Sequence, residues 1–179
     1  MMKKIVSLIL ILCFALSLCS CGEDDIVKSM YIDTDVNSKY QENNTHKTAD
    51  FSVSVPSGWS ISNDNDANKQ AGTGLNSVTL LKDKTNDVGI QVTYYNPQND
   101  LVAPLGSYYT DSKDVSPFEI GGRVYNGFTA KSSNKPIIVL WTGNPGEDQF
   151  LINVWSTNEN FITVDNVELL IILKSIKVN

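Results

Sequence analysis

The residues able to do chemistry in this 179-residue chain are few and unevenly placed. Its three cysteines, Cys13, Cys19 and Cys21, fall within the first 21 positions, and His46 is its single histidine. Its seven tyrosines include the adjacent pairs Tyr94-Tyr95 and Tyr108-Tyr109. Cys21 stands where a basic start (Lys3, Lys4) and an apolar run from Ile5 to Leu18 give way, through Ser20, to the acidic Gly22-Glu23-Asp24-Asp25. Basic, apolar and small-residue regions in that order mark an export signal, here with a thiol at the point of cleavage. The apolar run is about 14 residues, short of the roughly 20 that cross a bilayer as a helix.

Leu18, Ser20 and Cys21 together resemble the lipobox of bacterial lipoproteins. The resemblance implies a diacylglyceryl group on the Cys21 thiol and Cys21 as the first residue of the mature chain. Cys19 fits less well, because Leu18 occupies the position before it, where a small side chain is needed. A plain secretory signal with an incidental cysteine is the alternative. On the lipid reading, residues 1–20 are the signal, and the chain sits at a cell membrane, lipid-anchored on the extracytoplasmic side. The folded part then has no thiol, no disulfide and no thiolate metal ligand, so its core must hold it alone.

The other candidate sets are weak. A Ser-His-Asp arrangement needs its histidine fixed beside a nucleophile, and the neighbours of His46 (Asn43, Asn44, Thr45, Lys47) suggest solvent. No Gly-x-Ser-x-Gly elbow, His-Glu-x-x-His or Cys/His zinc spacing occurs. Asp64-x-Asp66-x-Asn68 begins like a calcium loop but has Lys69 where glycine is needed and Leu75 where a glutamate should close it. Glu147-Asp148 sit in a turn and read as solvated charge. No enzyme, cofactor or metal is expected. The tyrosine pairs Tyr94-Tyr95 and Tyr108-Tyr109 remain as candidate ligand-binding residues. On a strand one member of each pair must face away from the core, and with Trp141 and Trp155 they could stack on a sugar or a peptide. Packing in the core is the competing use of the same rings.

Charge narrows the partners. The chain has 14 basic and 20 acidic residues; loss of Lys3 and Lys4 with the signal leaves 12 against 20, near −8. No basic cluster offers a path for a phosphate backbone, which excludes nucleic acid as the expected partner. Acidity also argues against the polypeptide itself adhering to anionic lipid, leaving that to the acyl chains.

Any such site must be positioned by a single domain. Residues 21–50 are polar and read as a lipidated N-terminus and tether, with Met30-Tyr31-Ile32 its one apolar knot. Residues 22–179 are long enough to form a core, since a domain of about 150 residues buries close to 70% of its unfolded-chain surface, and the folded domain is expected over residues 51–179. Period-two alternation predicts strands at Phe51–Val55, Trp59–Ile61, Ser77–Leu81 and Gly89–Tyr95. Asn63 to Gly74 is a loop by composition. Between Asn96 and Pro117 the pattern is poor; Leu101–Tyr109 leaves room for a second short helix, against which Pro104 and Gly106 argue. Phe118–Ile120 and Arg123–Ala130 flank a Gly121-Gly122 turn, a hairpin signal. Pro136–Trp141 and Gln149–Trp155 form the next pair, and the continuous apolar run Ile137–Trp141 predicts burial on both faces. A C-terminal helix with Val164, Val167, Leu170 and Ile171 on its packed face, widened by Leu169, Ile172 and Leu173, and with Asp165 and Glu168 in its first turn would supply a cover. Ser175–Val178 reads as a return strand. The expected fold is α+β, a twisted antiparallel sheet covered by the C-terminal helix.

Phe51-Ser-Val-Ser-Val-Pro-Ser-Gly-Trp59, the Ile120-Gly-Gly-Arg-Val-Tyr125 hairpin and Ile172-Leu-Lys-Ser-Ile-Lys177 resemble the PsbP-like or Mog-type α/β/α sandwich, a family that includes many small bacterial lipoproteins. The resemblance implies a central antiparallel sheet and carries no catalytic residue across. The expected function is therefore a non-enzymatic, membrane-anchored lipoprotein that binds an envelope component or protein partner. The alternative is a small-ligand or cell-wall glycan-binding accessory of a transporter or sensor.

Overall fold

The computed structural model describes residues 28–29, 44–64, 75–158 and 161–179. Cys21, Met30-Tyr31-Ile32, Asp66, Asn68 and the rest of the expected loop from 65 to 74 lie outside the described residues. In chain order the strands are β1 (Lys28–Ser29), β2 (Thr45–Lys47), β3 (Phe51–Ser54), β4 (Trp59–Asp64), β5 (Leu75–Lys82), β6 (Val88–Tyr95), β7 (Thr110–Ile120), β8 (Arg123–Ser132), β9 (Lys135–Thr142) and β10 (Gln149–Ser156). Helix α1 (Val167–Ser175) and β11 (Lys177–Val178) end the chain.

The fold is α+β. Eight strands form one sheet in the order β1-β7-β8-β9-β10-β6-β5-β4, and β11-β3-β2 form a second. All pairings are antiparallel except that of β1 with β7. The small sheet and α1 together cover one face of the large sheet. Between them lies the main core, built from Phe51 and Val53 of β3, Val78 and Leu80 of β5, Ile90 and Val92 of β6, Tyr125 of β8, Ile138 and Leu140 of β9, Phe150, Ile152 and Val154 of β10, and Leu169, Ile172 and Leu173 of α1.

The small sheet draws on residues expected to be tether. His46 on β2 stands opposite Val53 on β3, so it belongs to a paired strand rather than a solvated lead-in. The turn from β2 to β3 is closed by Thr48, whose backbone N–H donates to Phe51 O at 2.8 Å and whose hydroxyl accepts from Phe51 N at 3.0 Å. Strand β3 was expected to be half buried, yet all four of its residues are buried. It is the middle strand of its sheet and has α1 against it, where Ser54 N donates to Ser175 Oγ at 2.8 Å.

The Pro56-Ser-Gly58-Trp59 turn bends the chain from the small sheet into the large one. Gly58 takes φ +83°, a conformation glycine adopts without steric cost. Trp59 is then buried with its indole N–H donating to Glu168 Oε2 at 3.2 Å. The same carboxylate pairs with Lys82 at 2.7 Å, so a strand end, a turn and the helix start meet at one acid.

Helix α1 starts later than its apolar spacing suggests. Asn166 caps it, its side chain accepting from Glu168 N at 3.0 Å and Leu169 N at 3.2 Å; this leaves Val164 and Asp165 ahead of the first turn. Leu169, Leu170, Ile172 and Leu173 are buried as their spacing predicts, whereas Val167, in the first turn, is 50% exposed. At its other end the helix rests on the β7–β8 hairpin. Gly121 and Gly122 both take positive φ there, and a Cβ on Gly121 would lie 2.9 Å from the Lys174 carbonyl oxygen. The second helix reduces to one 3-10 turn, Gly106–Tyr108. Strand β7 begins at Thr110, eight residues before the sequence shows a strand. Its first half leaves Asp111, Lys113, Asp114 and Ser116 exposed, and two register shifts interrupt it, so it has no period-two signature.

Loss of the cap should be measurable by itself. Asn166→Ala is expected to lower unfolding stability by about 1 kcal/mol, read as a fall in urea midpoint at unchanged slope.

Candidate functional site

The second face of the large sheet is also apolar. Phe128, Ala130 and Val139 form a smaller cluster there, joined by Tyr109, Ile137, Trp141 and Leu151. Among the described residues, the connection from β6 to β7 lies over it. Those strands are separated by β10, β9 and β8 in the sheet, so residues 96–109 must cross from one side of it to the other.

This crossover is fastened at both ends. Near its start, Leu101 N donates to Gln149 Oε1 at 2.8 Å and Gly146 N donates to Asp100 Oδ1 at 2.9 Å. Asn96 Oδ1 accepts from Gln98 N at 3.1 Å and from Asn99 Nδ2 at 3.0 Å, an Asx turn. Near its end, Tyr108 N donates to Leu105 O and Tyr109 N to Gly106 O. The Tyr109 ring packs on Phe128 at 5.2 Å between centroids. Between these fixed points Val102 is 87% exposed, Leu105 56% and Tyr108 82%. The segment Leu101-Val-Ala-Pro-Leu-Gly-Ser-Tyr-Tyr109 carries no Asp, Glu, Lys or Arg.

The four candidate tyrosines do not share one face. Tyr108 is exposed on the crossover, Tyr109 is half-buried against Phe128, and Tyr95 is half-buried on the second face. Tyr94 points the other way and is buried in the main core, 5.4 Å from the Phe150 ring. It is therefore corrected from candidate ligand residue to core residue. Trp141 belongs to the second-face cluster. Trp155 is spent on structure: its ring lies where a Cβ on Gly89 would sit, and its N–H donates to Asn86 O at 3.2 Å.

Tyr94 reaches a polar corner of the core instead. Its hydroxyl donates to Asp148 Oδ1 at 2.6 Å, which corrects the reading of Asp148 as solvated charge. Asp50 Oδ2 accepts from Asn76 Nδ2 at 2.9 Å in the same region. Burial first, then the bond to Asp148 and the negative charges of Asp148 and Asp50, hold the Tyr94 phenol well above its ordinary value. Burial likewise raises Tyr95 and Tyr125, and for Tyr125 the nearby Arg123 charge partly opposes it. Arg123 itself lies over the Phe150 ring at 4.9 Å.

One open groove of about 520 Å³ lies at the start of β7, lined by Asp111, Ser112, Lys113, Thr129, Lys131 and Ile162 among others. Lys131 and Asp111 close an ion pair of 3.0 Å within it. Among the described residues no group of three His, Cys, Asp or Glu side chains is placed to hold a metal ion, and no helix is long and apolar enough to cross a membrane.

No family model matches the chain, and no curated protein matches it. Among solved structures it is similar to the solution structure of cyanobacterial PsbP (CyanoP) from Synechocystis sp. PCC 6803. That similarity has 15% identity and a TM-score of 0.42, over 89% of this chain and 98% of that one. A superposition so loose carries no argument about the site.

Val102 and Leu105 escape sequence reasoning because their segment has neither strand nor helix period. The available signal was its uncharged stretch between Asp100 and Asp111 in an otherwise acidic chain.

One expectation concerns this face and one the main core behind it. Gly89→Ala should cost about 1–3 kcal/mol through overpacking against Trp155, read by urea unfolding. Tyr94 is neutral in the fold, with a pKa raised above its ordinary value of 10.0, so its contribution is fully present below pH 10 and is lost as pH rises beyond it. Tyr94→Phe should therefore lose less stability than the parent between pH 9 and pH 11, and equal losses would contradict this.

Proposed function

We propose that this chain is a membrane-anchored extracytoplasmic lipoprotein, lipidated at Cys21, which is not an enzyme and binds an envelope component or protein partner through its crossover segment. The observation that carries this reading is the exposure of Val102, Leu105 and Tyr108 on a backbone fastened at both ends. Six large apolar side chains are exposed among the described residues, and these three fall within seven consecutive positions. Exposed apolar residues scattered singly need no explanation, but a contiguous set marks interaction surfaces.

The energetics favour such a surface. Each apolar side chain gains about 1.5–3 kcal/mol when fully removed from water. A segment already fixed by Gln149, Gly146 and Phe128 has less ordering entropy left to lose on binding. An acidic domain with an uncharged, apolar segment also confines attraction to that segment. Cys21 supplies the address: two acyl chains on its diacylglyceryl group would hold the chain at the membrane without help from the polypeptide.

The reading is tested in intact cells. Cys21→Ala should move the chain from the membrane fraction to the soluble extracytoplasmic fraction. Val102→Ser/Leu105→Ser/Tyr108→Ser should keep the parent unfolding free energy, read by urea, within about 0.5 kcal/mol, as surface changes do. It should also lose the chain's cross-linked envelope adducts. Undiminished adducts would rule out the crossover as the binding surface.

A further inference from the structure

We propose that the outer face of β10, β6 and β5, beside the crossover rather than beneath it, is a binding site for a neutral saccharide. One sugar ring stacks on Trp155, and the adjoining ring is hydrogen-bonded by Asn153, Gln91, Thr79 and Thr93. The site rests neither on the lipid at Cys21 nor on the crossover.

Strand register brings these residues together. Trp155 on β10 pairs with Gly89 on β6. Two residues along, Asn153 pairs with Gln91, and Gln91 with Thr79 on β5. Thr93 follows Gln91 on the same side of its strand. This face is turned away from Ile90, Val92 and Val154 of the main core. The crossover is tied to Gln149 at the start of β10 and then to Phe128 on β8. Its path therefore leads from β10 over β9, away from β6 and β5.

Gly89 makes the platform. A Cβ there would run into Cε2, Cζ2 and Cη2 of Trp155 together. These are three bonded ring atoms, so the flat of the indole lies over β6. Its N–H, donated to Asn86 O at 3.2 Å, holds it in that plane. This packing uses one side of the ring. Trp155 is only partly buried, so the area it keeps in water lies on the side away from the sheet. An aromatic face is electron-rich and attracts the weakly positive C–H groups on the flat side of a sugar ring.

The polar row stands beside it. Asn153, Gln91, Thr79 and Thr93 are partly buried, and among the described residues their side chains make no hydrogen bond to the protein. None of their polar atoms is sealed from water. The row from Asn153 to Thr79 crosses two interstrand spacings, about 10 Å, and lies about 7 Å along the strands from Trp155. Sugar hydroxyls donate and accept, as amide and hydroxyl side chains do. The backbone beneath is fixed in the sheet, so little ordering entropy is lost on binding.

Charge selects the ligand. The three strands hold one charged side chain, Lys82, and it is paired with Glu168 of α1. An anionic ligand would find no cation on this face to replace its hydration. An extended peptide would find no free backbone, because β5, β6 and β10 each have a strand on both sides. A neutral polyhydroxylated ring needs neither.

The test titrates the full chain with neutral oligosaccharides of glucose, galactose, mannose and N-acetylhexosamine, and with acidic oligogalacturonate, reading backbone amide and indole N–H shifts. At least one neutral class should bind, moving the Trp155 indole and the Gln91 and Asn153 amides, and binding more tightly than oligogalacturonate. Gln91→Ala/Asn153→Ala should weaken it roughly tenfold, about 1.4 kcal/mol, at an unchanged urea midpoint. Trp155→Ala should abolish it, and the double variant keeps the test valid where removing the indole unfolds the chain. Val102→Ser/Leu105→Ser/Tyr108→Ser should bind as the parent does, which separates this site from the crossover. No shift with any neutral class, shifts confined to other strands, undiminished binding by the double variant, or tighter binding of oligogalacturonate each overturns the proposal.

Discussion

Strand β9 sets the problem that the rest of the structure solves. It lies inside the eight-stranded sheet and is apolar on both sides, with Ile138 and Leu140 facing the main core and Ile137, Val139 and Trp141 facing the other way. A sheet with two apolar faces must be covered twice. The first cover is substantial: a three-stranded sheet and α1, fastened through Glu168 and Ser175. The second is a single extended segment. One thickness of chain can shield the sheet with Tyr109 and its backbone, but among the described residues the side chains on its far side have nothing above them. The exposure of Val102, Leu105 and Tyr108 follows from that geometry.

The fastening gives this exposure its meaning. Gln149 is buried and turns its amide oxygen to Leu101, while Asp100 reaches back to Gly146 in the β9–β10 turn. Those bonds tie the crossover to the central strands, so the apolar side chains are presented rather than merely loose. The main core uses its own polar corner differently. Tyr94 and Asp148, with Asp50 and Asn76 close by, bring hydroxyl, carboxylates and amide to the end of the core where β6 and β10 meet, and the raised Tyr94 phenol is a consequence of that burial. These groups hold strands together at a sheet end, leaving the crossover as the feature that faces outward.

Much of the fold was legible because its strands carry either alternation or unbroken apolar runs. Ser77–Leu81, Gly89–Tyr95, Pro136–Trp141 and Gln149–Trp155 all lie within strands, and Gly121-Gly122 makes the expected hairpin. The misreadings share a cause: partners distant in sequence decide what local pattern cannot. Thr45–Lys47 is polar and gains strand structure only from β3. The first half of β7 is exposed and gains it only from β8. Asn166 shifted the helix start because a cap outranks an apolar spacing. For the candidate site, alternation required one tyrosine of the Tyr94-Tyr95 pair to face outward but could not say which. It was silent on Val102 and Leu105. The Cys21 reading stays a matter of sequence, carried by Leu18, Ser20 and the charge change at Gly22.

The central claim is that the crossover is a fixed cover whose outer side chains are held in water. Amide hydrogen exchange of the native chain tests it most directly, since exchange reports local opening residue by residue. The Leu101 and Tyr109 amides, bonded to Gln149 and Gly106, should exchange far more slowly than unstructured peptide, together with the Gly146 amide held by Asp100. Exchange of all three at the unstructured rate would show a loose loop and contradict the claim.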